Sequence, residues 1–167
     1  GKRRKIILLR IEMIKIKYKN LKLLALLLLA IPVIIFFLGW VKLIIGIPAT
    51  ALLLVAIGFA YKQNDDRELS FKISTLLIIV GIVTVWAILS GQGEIFTQKR
   101  DYEYRNVIFR DLINYDWPVC YNDEYDTGLT YYIGYWLLPA LIGKIGMSIG
   151  GFAAGWVMAK ISITIWT

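Results

Sequence analysis

The sequence contains no histidine and a single cysteine, Cys120. Without histidine, this chain acting alone has no Ser-His-Asp or Cys-His nucleophile, no histidine general base and no histidine ligand for zinc. One thiol forms neither an internal disulfide nor a cysteine metal cluster, so we interpret Cys120 as a bystander in a loop. The chemistry open to this chain is therefore that of carboxylates, lysine, arginine and tyrosine.

Charged residues are scarce over long stretches of the chain. The sequence is 58% apolar, above the roughly 45–50% that is usual for soluble domains. Between residues 23 and 61 the one charged side chain is Lys42, which leaves room for two membrane spans of about 20 residues each. This pattern excludes an ordinary water-soluble domain and predicts a polytopic membrane protein.

The predicted fold is all-α, a polytopic transmembrane helix bundle of about five spans with an amphipathic interfacial helix in a long outer loop. A basic amphipathic segment (1–22) precedes three spans (23–89), the loop covers 90–130, and two further spans fill 131–167. We expect a tight hairpin near 39–42, a third span at 73–89, and fourth and fifth spans at 131–145 and 149–166. Small residues near the end of the fourth span and in the fifth predict close helix packing: Gly146, Gly150, Gly151, Ala154 and Gly155. Because the last apolar stretch has no closing polar flank, we also expect the chain to continue past Thr167.

The N-terminal segment is strongly basic. Residues 1–22 hold nine lysines and arginines against one acid, Glu12, interleaved with isoleucine and leucine. Such a segment before a span is typical of binding to anionic lipid headgroups, and we favour this partner over nucleic acid. The positive-inside rule then predicts a multi-pass protein of the cell membrane with a cytoplasmic N-terminus. Three crossings place the 90–130 loop, with eight acids and four bases, outside the cytoplasm.

The loop is rich in aromatic residues, which argues against disorder. On a helical wheel, residues 101–115 form an amphipathic helix that we expect to lie flat on the outer membrane surface and to end before Pro118. The predicted polar face carries Glu103, Asn106, Arg110 and Asn114. The predicted apolar face carries Tyr104, Ile108, Phe109, Leu112 and Tyr115.

Two charged residues, Asp101 and Arg105, interrupt the apolar side of this helix. A carboxylate at such a position is either paired or functional. One interpretation is that both contact a ligand. The alternative is that they form a salt bridge with each other at the start of the helix.

The loop resembles the corresponding loop of the GT-C class of polytopic glycosyltransferases, which use polyprenyl-phosphate-linked sugars. The resemblance rests on residues 100–105 (RDYEYR), the helix that follows, and residues 116–118 (DWP). In many members the acidic loop follows the first span, whereas here it follows the third. The resemblance implies a membrane enzyme of cell-envelope glycan assembly with a lipid-linked sugar as partner. It implies Asp101 as the catalytic carboxylate and four substrate-binding residues: Arg105, Glu103, Tyr102 and Trp117.

Two other functions fit the sequence. A transporter or flippase fragment would use charges within spans, for which Lys144 and Lys160 are the candidates. A non-catalytic membrane subunit would bind a partner through the 90–130 loop. We predict no cofactor and no metal site. The oxygen-rich residues 122–127 lack the spacing and closing glutamate of a calcium loop, so we interpret them as a solvated turn. The alternative is that they take part loosely in a divalent-metal site.

Overall fold

The computed structural model describes residues 13–63, 67–94, 97–98, 100–121 and 127–167. These residues are mostly helical, as predicted. Within the described ranges there are two short strands, five α-helices and one 3-10 turn. In chain order they are β1 (Met13–Lys17), α1 (Tyr18–Gly39), α2 (Leu43–Lys62), β2 (Glu68–Lys72), α3 (Ile73–Leu89), the turn Gln92–Glu94, α4 (Asp101–Asn114) and α5 (Gly134–Trp166).

Three of these helices, α1, α2 and α5, are long and apolar enough to cross a membrane. Helix α3 has the predicted bounds, and its 17 residues are at the short end of the range for a span. The predicted hairpin is confirmed, since α1 ends at Gly39 and α2 begins at Leu43. Large apolar side chains of these helices are not covered by the rest of the chain, for example Ile44, which is 83% exposed, and Trp86, which is 73% exposed. Such surfaces are compatible with insertion into lipid.

The described residues also contain a small β-sheet, which the all-α prediction omitted. Strands β1 and β2 pair antiparallel, with Met13 opposite Lys72 and Lys17 opposite Glu68. We call this pair the β1–β2 ribbon. Residues 13–17 were assigned to a basic surface segment, and the helix that follows starts at Tyr18 rather than at residue 23. Residues 1–12 of that predicted segment lie outside the described part.

Helix α5 reverses direction at Gly150 and Gly151, where the backbone is not helical. We call residues 134–149 the first arm and residues 152–166 the second arm. Tyr135 and Thr167, at opposite ends of the sequence of α5, share a hydrogen bond between their hydroxyls. The two arms therefore pack antiparallel as a helical hairpin. We predicted two helical segments here, separated between residues 145 and 149. The observed reversal at Gly150 and Gly151 lies slightly later, but the division into two segments agrees.

Small residues bring the two arms of α5 together. A Cβ atom on Gly155 would lie 2.6 Å from the carbonyl oxygen of Gly143, and one on Gly143 would lie 2.9 Å from Cβ of Ala159. This confirms the close packing predicted from the small residues.

Helix α4 packs across this hairpin and forms the main core of the described residues. Phe109, Leu112 and Ile113 of α4 are buried against the two arms. The aromatic rings of Phe109 and Trp156 lie 5.7 Å apart. The apolar face of α4 is thus covered by α5. We had expected this face to lie on the membrane surface instead. Tyr104 and Tyr115, which were predicted on the apolar face, are exposed at 73% and 51%, because the buried face is rotated toward Arg105 and Asn106.

Candidate functional site

Asp101 and Arg105 form a salt bridge within the first turns of α4. The distance from Arg105 Nη2 to Asp101 Oδ2 is 2.7 Å, and the guanidinium carbon lies 5.5 Å from the centre of the Tyr102 ring. The geometry agrees with the alternative in which the two charges pair with each other. The Asp101 side chain nevertheless keeps 67% of its surface exposed, so the carboxylate remains accessible to a ligand.

Three stacked aromatic rings lie beside this ion pair. The ring of Tyr131 is 4.0 Å from that of Tyr132 and 5.6 Å from that of Trp136. The hydrogen bond that the Tyr131 hydroxyl donates to Tyr132 raises the pKa of Tyr131, while the charge of Arg105 lowers it and that of Asp101 raises it. Both charges therefore lie near Tyr131.

A second ion pair lines the same cavity as Arg105. Lys160 Nζ, on the second arm of α5, donates to Glu94 Oε2 at 3.0 Å. Asn106 Nδ2 bridges Glu94 Oε1 at 3.2 Å and Gln98 Oε1 at 2.7 Å. Glu94, Asn106 and Lys160, together with Arg105, line a cavity of about 10 Å³, which is the size of one water molecule.

The backbone between α3 and α4 is folded tightly to present Glu94. Gly91 and Gly93 have φ of 79° and 71°, in the left-handed region that glycine adopts easily. Glu94 also lies in this region, with φ of 60°. The left-handed conformation costs a non-glycine residue about 1–2 kcal/mol, which the bonds from Lys160 and Asn106 help to offset.

Hydrogen bonds from α4 and α5 hold this loop in place. Tyr102 Oη donates to the carbonyl of Ser90 at 2.6 Å, and Thr164 Oγ1 donates to that of Gln92 at 3.3 Å. A Cβ on Gly93 would lie 2.6 Å from the carbonyl oxygen of Lys160, so only glycine allows this approach to α5.

The structure brings together three of the five predicted site residues. Asp101, Tyr102 and Arg105 lie at the start of α4. Glu103 is exposed on another face of the helix. Trp117 lies beyond the far end of α4, about 20 Å along the helix axis for 14 residues. There its ring packs 5.1 Å from that of Trp40, and its Nε1 donates to the carbonyl of Leu112.

Glu94, Gln98, Asn106 and Lys160 complete the site but were not predicted as part of it. Lys160 had been considered as a candidate charge for transport. A lysine within an apolar stretch requires a partner, and this was the one sequence signal for the ion pair. The partner was not predictable, because Glu94 is 66 residues away along the chain.

Metal ligands are not clustered in the described ranges, where no group of three or more histidine, cysteine, aspartate or glutamate residues could hold an ion. Residues 122–126, which include most of the oxygen-rich turn, lie outside those ranges. What the site offers a ligand is two ion pairs, two amides and a stack of rings.

Comparisons of the chain with protein-family models, with curated proteins and with solved structures gave no match.

Proposed function

We propose that the chain is an integral membrane protein that transfers a sugar from a lipid-linked donor, in the manner of the GT-C glycosyltransferases that its loop resembles. The observation that carries this proposal is the exposed Asp101 carboxylate, paired with Arg105 and flanked by the Tyr131, Tyr132 and Trp136 rings. Aromatic rings cover the apolar faces of sugars, whereas carboxylates, amides and guanidinium groups bind hydroxyls and phosphates.

An exposed apolar face of α3 supports an amphiphilic substrate. It carries Ile82, Val85, Trp86 and Leu89 and leads to Ser90 at the end of the helix. The carbonyl of Ser90 also accepts the hydrogen bond from Tyr102. A lipid chain that packs along this face of α3 would bring its polar headgroup to the ion pairs.

In the proposed reaction, an acceptor hydroxyl oxygen attacks the anomeric carbon of the sugar. The bond between that carbon and the phosphate oxygen breaks, and the lipid phosphate leaves with the electron pair. Asp101 takes the proton of the acceptor hydroxyl as general base. Arg105 stabilises the charge on the departing phosphate and orients Asp101. The site lies on the outer side of the membrane in this proposal, with the N-terminus in the cytoplasm of a multi-pass protein.

A non-catalytic membrane subunit is the second candidate. It is favoured by the many exposed apolar side chains of α3, such as Leu77, Val80 and Trp86, which offer a surface to helices of a partner. The transporter alternative has less support, because the ion pair with Glu94 already neutralises Lys160.

The test uses membrane vesicles that contain the full-length protein and a polyprenyl-phosphate-linked hexose with a radiolabelled sugar. The wild type should transfer or release the label above the level of vesicles without the protein. Asp101→Asn should reduce that rate by about 10²–10⁴-fold, as expected for loss of a general base. Asp116→Asn removes the same charge beyond the opposite end of α4 and should leave the rate unchanged.

Three results would contradict the enzyme proposal. Equal rates for Asp101→Asn and wild type would exclude the role of Asp101. Movement of the intact labelled lipid across the bilayer, without cleavage, would favour a transporter. A wild-type rate no higher than that of empty vesicles, with a co-purifying partner, would favour the subunit.

A further inference from the structure

The β1–β2 ribbon has one apolar and one basic face. Its register pairs Ile14 with Phe71 and Ile16 with Leu69. Because side chains alternate across a strand, these four lie on one face of the ribbon. The other face carries the remaining pairs: Met13 with Lys72, Lys15 with Ser70, and Lys17 with Glu68.

The apolar face of the ribbon is incompletely covered within the described residues. Ile14 is 39% exposed, and Ile16, Leu69 and Phe71 are half-buried. The ribbon packs chiefly on itself and on the starts of α1 and α3. A two-stranded ribbon alone in water is marginally stable at best. An additional surface is therefore needed to cover this apolar face.

The position of the ribbon indicates what this surface is. Strand β1 runs directly into α1 at Tyr18, and β2 runs directly into α3 at Ile73. The ribbon thus lies where two strongly apolar helices begin, which is the boundary between hydrocarbon and water when those helices are inserted.

The charge at this end of the molecule matches an anionic surface. The described residues within 13–22 and 62–72 contain seven basic residues and one acidic residue, Glu68. Three of the bases, Lys15, Lys17 and Lys72, belong to the ribbon itself. Basic residues beside a membrane are attracted to anionic headgroups.

We propose that the β1–β2 ribbon binds the anionic phospholipid headgroups of the membrane surface at which α1 and α3 begin. The four apolar side chains enter the interfacial layer, and the lysines of the ribbon lie among the lipid phosphates. This surface is separate from the site at α4 and does not depend on sugar transfer.

The first test compares spin labels on neighbouring residues of β2 in the full-length protein, with Cys120→Ser as background. Phe71→Cys places the label on the apolar face, and Ser70→Cys is the matched control on the other face. In nanodiscs with one phosphatidylglycerol to three phosphatidylcholine molecules, the label at 71 should be more accessible to oxygen and less accessible to a water-soluble nickel chelate than the label at 70.

The second test needs no change on the apolar face. Spin-labelled phosphatidylglycerol should be immobilised by the wild-type protein about twofold or more in preference to phosphatidylcholine, because several lysines attract it. Lys17→Gln/Lys72→Gln should lower this preference. The matched double variant Lys42→Gln/Arg110→Gln removes two charges outside the ribbon and should leave it unchanged.

Each of the following results would overturn the proposal. Equal nickel accessibility at 70 and 71 would place the ribbon in water. Protection at 71 that persists in lipid-free detergent and rises with protein concentration would identify a second copy as the covering surface. Equal immobilisation of the two lipids by the wild type would show that the ribbon does not recognise the headgroup charge.

Discussion

At the residue scale, a hydrogen bond outside the candidate site joins Asp111 and Tyr121. Asp111 of α4 accepts a hydrogen bond from the Tyr121 hydroxyl at 2.7 Å. Burial and then this bond raise the pKa of Tyr121 to about 12 from its ordinary value of 10.0. The bond ties the end of α4 to the chain that follows Pro118.

Tyr121→Phe should reduce the stability of the detergent-solubilised protein by about 1 kcal/mol at pH 8, the usual worth of such a bond. The raised pKa means that the folded state favours the neutral phenol. Its contribution is therefore complete below pH 10.0 and is lost as pH rises toward about 12. Unfolding followed by tryptophan fluorescence at pH 8 and pH 11.5 measures the difference between variant and wild type.

The control for this measurement is Tyr104→Phe, because the side chain of Tyr104 is 73% exposed. It should have no effect at either pH. A deficit of Tyr121→Phe that stays constant between pH 8 and pH 11.5 would contradict the assignment.

At the scale of elements, the hairpin of α5 depends on glycines that no side chain can replace without moving an arm. A Cβ on Gly155 would lie 2.6 Å from the carbonyl oxygen of Gly143 and 2.8 Å from the backbone nitrogen of Met147. Both atoms belong to the opposing backbone and cannot rotate away.

Gly155→Ala should therefore destabilise the protein by about 1–3 kcal/mol, which is typical of an overpacked site. The matched variant is Gly134→Ala, at the start of the same helix, where a Cβ would meet no atom within 4 Å. Alanine should be neutral or stabilising there by up to about 1 kcal/mol. Thermal unfolding of both variants in the same detergent provides the comparison, and equal stabilities would contradict the packing of the arms.

The bounds of several elements were predictable because they follow from local patterns. Apolar runs between charges defined α1, α2 and α3 to within a few residues, and the periodicity of residues 101–115 defined α4. The register of β1 with β2 was not predictable, because it joins residues 13–17 to residues 68–72. Helices α1 and α2 lie between the two strands in the sequence. The rotation of α4 was also missed, since Arg105 and Asn106 face inward only because Glu94 and Gln98 are placed there by the turn at Gly91 and Gly93.

At the scale of the whole molecule, packing within the chain is uneven. Leu112, Ile113 and Leu137 of the α4–α5 core are fully buried, whereas α3 contributes one buried residue, Ala87. The core of the described residues is thus concentrated between α4 and the two arms of α5. Helices α1 to α3 leave most of their surface to the surrounding membrane or to other helices.

The reversal of α5 changes the overall path of the chain, and a distance measurement can check it. A straight helix would separate residues 134 and 165 by about 46 Å, at a rise of 1.5 Å per residue. In the hairpin they belong to neighbouring helices, whose axes lie about 8–10 Å apart. Pulsed electron paramagnetic resonance on Gly134→Cys/Ile165→Cys in the Cys120→Ser background should give a distance well below that of the straight helix. A main peak near 46 Å would show that α5 is extended.

The pairing of β1 with β2 also sets an order of events during synthesis. Strand β1 leaves the ribosome first, but its partner ends at Lys72, more than fifty residues later. At about 5–20 residues per second, the ribosome needs several seconds to supply that partner. During that interval α1 and α2 are synthesised, while β1 has no strand to pair with. Strand β1 therefore reaches its final structure only when α3 begins to form.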